Sequence, residues 1–349
     1  ELLRSIERGE DVDDVHRGNA AKSAKLAWMF SGEGSEYVGM GESLYRTQPV
    51  FRDAIDQLHE QLWQDREGSL VEALFHDQAM QSQRSWSEPA LFALQAGLAR
   101  LWQSWGIEPD VVLGQGLGQY AAACVAGVMT WEDGLRMVAT RSQLIGQHAA
   151  STTAFSPGNA RDAIPADVLD EFEQFADTLD YFPADRPLIC NLSGDIVPVH
   201  RLLGGSHWKR HLCEPDQLAA SIRTLAGQEC ELVLEVGPTT ALTEAASDHR
   251  EGLEPTWMSC LRQGENETAC LLDALGRLFV GGIIPDFQAY DRPWPRRKMQ
   301  LPTYPFDRSR YWITDVAKYS QQKEHSQQKN STGSRSNIIT RERSREKHA

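Results

Sequence analysis

The 349-residue sequence predicts an α/β fold built around a largely parallel sheet. Short apolar runs recur along the chain, most of them followed by a stretch with helical spacing, the alternation that parallel sheets require of their crossovers. One run, Asp110-Val111-Val112-Leu113, ends in the tight turn Gly114-Gln115-Gly116-Leu117-Gly118 and passes directly into a helix of small residues. No internal repeat interrupts the pattern.

The elements follow in order. Residues 1–25 are charged and close on Asn19-Ala20-Ala21-Lys22-Ser23-Ala24, the composition of an upstream linker. The chain begins at Glu1 with neither an initiator methionine nor an apolar secretory core, so it is expected to be a piece of something longer. Leu26-Ala27-Trp28-Met29-Phe30 reads as a buried strand meeting the glycine turn Ser31-Gly32-Glu33-Gly34-Ser35. Helices are expected from Pro49 to Trp63 and from Pro89 to Trp105, the second with Leu91, Leu94, Leu98, Leu101 and Trp102 at helical spacing. After the strand at 110–113, the helix Gln119–Gly127 carries side chains small enough to lie close against the sheet. The helix Trp131–Ile145 opens on Glu132 and Asp133, an acidic first turn that suits the helix dipole. Beyond a looser stretch, a helix is expected from Ala166 to Leu179. Strands are expected at Pro187–Asn191 and Glu231–Pro238, the latter followed by a helix. Residues 314–349, rich in Gln, Lys, Ser and Arg, are expected to form a disordered tail.

Composition narrows the function. With 35 basic and 49 acidic residues the formal net charge is −14, which argues against nucleic acid and against an anionic membrane surface. An acidic partner such as a carrier protein would have to meet a local basic patch. Cys124, Cys190, Cys213, Cys230, Cys260 and Cys270 are scattered, with no CxxC pair and no histidine at ligand spacing. Neither a disulfide framework nor a metal site is expected, and a cytoplasmic location fits. No run approaches the ~18 apolar residues of a membrane span.

The turn at 114–118 carries the chemical question. Strand, G-x-S-x-G turn and helix make a nucleophile elbow, which lifts a serine hydroxyl to a helix head where backbone N–H groups can hold an oxyanion. Here Gly116 stands at the nucleophile position; glycine accepts the strained backbone at no steric cost, while the reactive oxygen is gone. A phosphate-cradling dinucleotide loop is a poorer match, because the run is not G-x-G-x-x-G and no acidic residue closes a second strand downstream. A third reading is that the glycines only permit close helix packing. No cofactor is expected.

Several segments resemble the acyltransferase domain of modular polyketide synthases, the malonyl-CoA:acyl-carrier-protein transacylase family. Phe30-Ser31-Gly32-Glu33-Gly34-Ser35-Glu36-Tyr37-Val38-Gly39-Met40-Gly41 is similar to its F-T-G-Q-G-A-Q-Y-x-G-M-G, and Glu88-Pro89-Ala90-Leu91-Phe92-Ala93-Leu94 to its Q-P-A-L-F-A-L. Val138-Ala139-Thr140-Arg141 matches the helix carrying its substrate arginine, Trp208-Lys209-Arg210-His211-Leu212 its Y-W-x-x-H-L, and Glu235-Val236-Gly237-Pro238 its E-V-G-P. Leu301-Pro302-Thr303-Tyr304-Pro305-Phe306 with Arg310-Tyr311-Trp312 matches the linker that follows the domain. The resemblance implies an acyltransferase-like domain over 26–290, a linker over 291–313, and an α/β-hydrolase-like parallel-sheet core.

Departures from the family fall on its catalytic residues. The G-H-S-x-G elbow is replaced by Gly114-Gln115-Gly116-Leu117-Gly118, so histidine and serine are both absent. The H-A-F-H-S-P segment, whose last histidine is the general base, corresponds to Thr153-Ala154-Phe155-Ser156-Pro157. Leu117 and Glu33 occupy the oxyanion-hole positions, and the Glu33 carboxylate would repel a developing oxyanion. Arg141 and Phe155 are only fourteen positions apart, so the small ferredoxin-like subdomain that the family builds between them is expected to be largely missing.

Among the surviving residues, Arg141 corresponds to the guanidinium that grips a malonyl carboxylate, and it could equally be a structural arginine. His211 lies where the family lines its pocket, and is read as structural in the absence of a nucleophile to activate. His148 and His207 lie near the altered segments but have no serine or cysteine elbow to serve, and Cys124 reads as a packed small residue. A non-catalytic scaffold or docking domain is therefore expected, with ketosynthase, acyl carrier protein or a separately encoded acyltransferase as partners. Two alternatives remain: a transferase with a displaced nucleophile at Ser31, Ser35 or Ser156, and a module that binds malonyl-CoA or carrier protein without reacting.

Overall fold

The structure, a computed structural model, describes residues 24–62, 68–151, 164–247 and 255–297, with short pieces at 8, 15–18, 299–300, 302–303 and 321–325; at 61–62 and 148–151 only the helical backbone is described. The chain divides into two units, Glu1–Pro295 and Arg296–Ala349. In the second unit a helical turn at 321–325 is described. Most of the expected tail at 314–349 and most of the linker segments at 1–25 and 291–313 lie outside the described residues, as do Thr153–Pro157 with Ser156.

In the first unit β1 (Leu26–Phe30) leads to the helices α1 (Glu42–Thr47), α2 (Pro49–Leu62), α3 (Leu70–Phe75), α4 (Gln78–Gln81) and α5 (Arg84–Ser104). Next come β2 (Val111–Gly114), α6 (Gly118–Val125), α7 (Trp131–Ser151), α8 (Ala166–Ala176) and β3 (Leu188–Ile189). The remaining elements are α9 (Gly205–Cys213), α10 (Leu218–Ala226), β4 (Leu232–Val236), α11 (Ala241–Ser247), β5 (Thr256–Ser259), α12 (Glu267–Val280) and α13 (Phe287–Asp291). The strands form one sheet in the order β3-β2-β1-β4-β5, every neighbouring pair parallel. Among the described residues the antiparallel pairing is an isolated bridge, Ile189 to Ile196.

β1 is the middle strand and is buried along its whole length, which is why it reads as an uninterrupted apolar run. Its alternate side chains enter opposite layers. Leu26, Trp28 and Phe30 join the core that includes α2, α5, α6 and α7, whereas Ala27 and Met29 join Ile222 and Leu225 of α10 and Leu242 and Ala246 of α11. Helices thus cover both faces, the arrangement expected of parallel strands. The register sets Phe30 beside Gly114 on one side and beside Val236 on the other. The loops leaving β1, β2 and β4 therefore emerge side by side at the carboxyl edge, where the strand order reverses and open α/β sheets bind ligands.

Several expected boundaries move. The helix expected from Pro89 starts at Arg84 and runs through the proline. Its extra turn is held by Glu88, which is 2% exposed and pairs with Arg84 at 3.4 Å one turn earlier. The strand expected over 187–191 shrinks to Leu188–Ile189, because Cys190 begins a turn in which its N–H reaches Asp195 and its carbonyl accepts from Gly194. The helix expected to end near Ile145 continues to Ser151, and the one expected to reach Leu179 stops at Ala176. Two carboxylates from outside the helices hold helix starts. Glu267 accepts from the N–H groups of Gly41, Ser43 and Leu44 at 2.6, 2.8 and 3.2 Å, and Glu235 accepts from Leu242 and Thr243 at 3.0 and 2.7 Å.

Candidate functional site

The site forms where the β1 and β2 loops meet the head of α6. Gln115 N–H continues the ladder to Phe30 O at 3.0 Å, and Gly116 then turns with φ +48°. A Cβ on Gly118 would lie 2.2 Å from Phe30 O, so α6 seats against β1 more closely than any side chain would allow. Gln119 fastens the elbow from inside: its Oε1 accepts from Gly114 N–H at 3.1 Å and its Nε2 donates to Ile189 O at 3.2 Å.

The backbone donors at the turn are already engaged by carboxylates of the chain itself. Leu117 N–H donates to Glu33 Oε2 at 2.7 Å, and Gly116 N–H donates to Asp216 Oδ2 at 2.8 Å. A Cβ built on Gly116 would lie 2.2 Å from Glu33 Oε2, so the Glu33 carboxylate fills the space a side chain at 116 would need. Its other oxygen, Oε1, accepts from Arg141 Nη2 at 3.1 Å.

Arg141 is buried between two acids. Its Nη1 donates to Glu88 Oε2, which also accepts from Ser142 Oγ at 2.5 Å. The side chains of Arg141 and Glu88 are 5% and 2% exposed, whereas that of Glu33 is 28% exposed. Burial alone would lower the basicity of the guanidinium, but the charges of Glu88 and Glu33 outweigh it and hold the pKa above its ordinary value. Arg141 thus lies at the elbow, where its polar contacts go to side chains of this chain.

The other expected site residues are placed as follows. His211 Nε2 lies 2.9 Å from Asn191 Nδ2, a group that can only donate, so this nitrogen accepts. Asn191 Nδ2 also reaches Asp216 Oδ1 at 3.2 Å, which joins His211 to the elbow through Asn191 and Asp216. The imidazole stands edge-on to Tyr120 and Trp208, with ring centroids 5.1 and 5.6 Å away. His207 is buried edge-on to Trp208, and burial, aided by Arg201 and Arg210, lowers its pKa to about 4. Among the described residues neither Ser31 nor Ser35 is hydrogen-bonded to an imidazole; Ser35 Oγ donates to Gly32 O at 2.8 Å, and Ser31 is buried. Cys124 is buried with its thiol pKa pushed up by that burial, and its Sγ lies 3.4 Å from Thr130 O, as a packed residue should. The side chain of His148 lies outside the described residues.

Sequence reasoning missed Glu88, Asn191 and Asp216. For Glu88 a signal existed. Glu33 and Glu88 both stand where the resembling motifs carry glutamine, and two such acids in one family's site call for a cation between them, which Arg141 supplies. Asn191 and Asp216 carried no pattern, since Asp216 meets Gly116 from 100 positions downstream and Asn191 joins it through Asp216. Among the described residues no cluster of His, Cys, Asp and Glu could hold a metal ion, no helix is long and apolar enough to cross a membrane, and the six cysteines are unbonded.

Comparison with known proteins adds the lineage. Residues 27–164 match the family model described as acyl transferase domain. The spectinabilin polyketide synthase system protein NorA' of Streptomyces orinoci is 30% identical over 385 residues, covering 90% of this chain and 10% of that protein. Polyketide synthase GfsA of Streptomyces halstedii is 27% identical, covering 91% of this chain and 5% of that protein. The chain thus spans a tenth or less of either relative. Among solved structures, the acyltransferase domain from the second module of the salinomycin polyketide synthase superposes with a TM-score of 0.73 at 27% identity, covering 87% of this chain and 85% of that one. Residues 27–164 thus match the acyl transferase domain family by sequence, and over most of its length the chain shares the fold of an acyltransferase domain from a modular polyketide synthase.

Proposed function

We propose that the chain is a non-catalytic acyltransferase-like domain, serving as a scaffold between neighbouring polyketide synthase domains or as a docking platform for a separately encoded acyltransferase. One observation carries the reading: the position where an acyl chain would attach is Gly116, and the space in front of it holds the Glu33 carboxylate. No ester can form at a hydrogen atom. An oxyanion formed there would find Leu117 N–H already taken and a negative charge beside it. Loss of a nucleophile and its base leaves at most the residual rate that binding supplies, orders of magnitude below an intact site. The short interval between Arg141 and Phe155, where the family builds its small subdomain, supports the same conclusion. Ketosynthase and acyl carrier protein are the partners this role calls for, and a cytoplasmic location suits its unbonded cysteines.

The test is incubation with radiolabelled malonyl-CoA. The protein should leave no stable adduct, and stoichiometric labelling of one residue, Ser31, Ser35 or Ser156 included, would sink the reading. A module that binds without reacting would use Arg141, whose engagement by Glu33 and Glu88 disfavours it. Calorimetric titration with malonyl-CoA should accordingly give no saturable heat.

A further inference from the structure

We propose that residues 1–14 of this chain are the occupant of an exposed apolar face on α12 and α13, with Leu2, Leu3 and Ile6 as the side chains that cover it. None of the residues of this face belongs to the elbow, so its occupancy is independent of whether the elbow reacts.

Among the described residues nine large apolar side chains are exposed, and four of them, Leu272, Phe279, Ile284 and Phe287, fall within sixteen positions. They are 42, 46, 74 and 51% exposed. At about 100° per residue, Leu272, Gly276 and Phe279 share about 60° of the α12 surface and so make one stripe. Phe287 of α13 extends it, its ring edge-on to Phe279 with centroids 5.7 Å apart. Single exposed apolar residues are ordinary, whereas a run this dense marks a surface that something covers.

The chain is already seated along one flank of this stripe. His16 Nε2 lies 2.7 Å from Asp273 Oδ1, and Asp273 Oδ2 accepts from Arg277 Nε at 3.0 Å and from Arg262 Nη2 at 3.5 Å. The His16 ring rests on Gly276, where a Cβ would lie 3.0 Å from His16 Cδ2. Two residues on, a Cβ at Gly18 would lie 2.2 Å from Val280 O, so the two backbones touch. From His16 to Gly18 the chain therefore runs in the direction of α12, and upstream of His16 it leaves toward the helix start, where Leu272 lies.

The sequence supplies a matching apolar segment within reach. In Glu1-Leu2-Leu3-Arg4-Ser5-Ile6-Glu7-Arg8, Leu2, Leu3 and Ile6 stand at the i, i+1, i+4 spacing of one helix face, with Arg4, Glu7 and Arg8 turned away from it. Gly9 follows, and can take the turn that sends this segment back along the stripe. The stretch from Ile6 to His16 spans up to ~33 Å when extended, against ~11 Å between Leu272 and Phe279 on the helix. Sent back in this way, Ile6 meets Leu272, and Leu2 and Leu3 meet Phe279 and Phe287. A tether of that length holds the segment at an effective concentration on the order of millimolar, which favours it over a second copy of the chain.

The experiment is hydrogen exchange read by mass spectrometry on the full chain, with gel filtration at micromolar concentration. Amides of residues 4–8 should exchange at least about tenfold more slowly than in an unstructured peptide of the same sequence. Phe279→Asp/Phe287→Asp should remove most of that protection while β1 and β4 stay protected, which shows that the fold is kept. Leu3→Asp/Ile6→Asp should bare the face and brighten an apolar-surface dye severalfold, and adding Phe279→Asp/Phe287→Asp should abolish the gain. Gly18→Val, which cannot keep the contact at Val280, should loosen residues 4–8 as the phenylalanine variant does. If the phenylalanine variant does not fold, dye emission of Leu3→Asp/Ile6→Asp against the parent decides. Full-rate exchange of residues 4–8 in the parent, or unchanged dye emission in Leu3→Asp/Ile6→Asp, would overturn the proposal. So would a parent dimer that Phe279→Asp/Phe287→Asp dissociates, since the occupant would then be a second copy.

Discussion

Replacing Gly116 with serine is the most direct attempt to put a nucleophile on this elbow, and the geometry around it sets what that costs. The new Cβ would lie 2.2 Å from Glu33 Oε2 and 3.0 Å from Glu33 Cδ, inside the ~3.5 Å of ordinary contact. Glu33 has to swing away, giving up its bonds to Leu117 N–H and to Arg141. Hydrogen bonds to charged groups contribute about 1.5–3 kcal/mol each, and a non-glycine residue at positive φ adds about 1–2 kcal/mol. Two circumstances reduce the total: Glu33 is partly exposed and can rehydrate, and Arg141 retains Glu88. A net loss of about 2–4 kcal/mol follows for Gly116→Ser. In a Glu33→Ala background the clash is gone, and the same substitution should cost only the backbone strain, about 1–2 kcal/mol. The coupling between the two positions is therefore about 1–3 kcal/mol, measured as a double-mutant cycle from urea unfolding followed by tryptophan fluorescence. A coupling below about 0.5 kcal/mol, with Gly116→Ser equally costly in both backgrounds, would refute the claim that Glu33 occupies the space in front of position 116.

Three further outcomes are expected. Arg141→Ala leaves the buried Glu88 with Arg84 alone, at 3.4 Å, and Glu33 without its guanidinium, and should cost about 3 kcal/mol in urea unfolding, with Arg141→Lys recovering part of it. Glu267→Ala removes the acceptor of three backbone N–H groups at the start of α1 and should cost about 3 kcal/mol, whereas Glu267→Gln, which keeps one carbonyl oxygen, should cost less. His207 has a folded-state pKa of about 4, below its ordinary 6.5, so the fold favours the neutral ring. The stability this provides is complete above pH 6.5 and is lost as pH falls toward 4, and His207→Gln should flatten the loss of Tm across that window, read by circular dichroism.

The sheet was the most legible part of the molecule. Leu26–Phe30 and Leu232–Val236 lie in the middle of a doubly covered sheet, and burial on both faces forces continuous apolar runs that need no partner to be recognised. β5 was missed because it is an edge strand whose first two residues, Thr256 and Trp257, are not fully buried, so it lacks that signature. The start of α5 was misplaced because Pro89 is an acceptable first helical residue, while the extra turn before it depends on Glu88 finding Arg141 fifty-three positions away. The turn at Gly116 was readable because strand, glycine and helix are contiguous. Its occupant was not, because Glu33 meets Leu117 across 84 positions and Arg141 across 108, and such pairings are set by the fold as a whole. The sequence placed the Glu33 carboxylate at the oxyanion-hole position as a source of repulsion; in the fold it also accepts from Leu117 N–H and Arg141 itself.

The position of β1 also bears on how the chain folds as it is made. This strand is synthesised well before β4, which closes one of its edges, and the hydrogen bond from Lys25 N–H to Glu231 beside that pairing spans 206 positions. At a translation rate of about 5–20 residues per second, roughly 10–40 s pass between the emergence of the two strands. During that interval Leu26-Ala27-Trp28-Met29-Phe30 presents a sticky apolar ribbon with an open side, a template for pairing with other nascent chains. Chaperone occupancy on ribosome-bound chains should be concentrated in this window and should fall once β4 has cleared the exit tunnel.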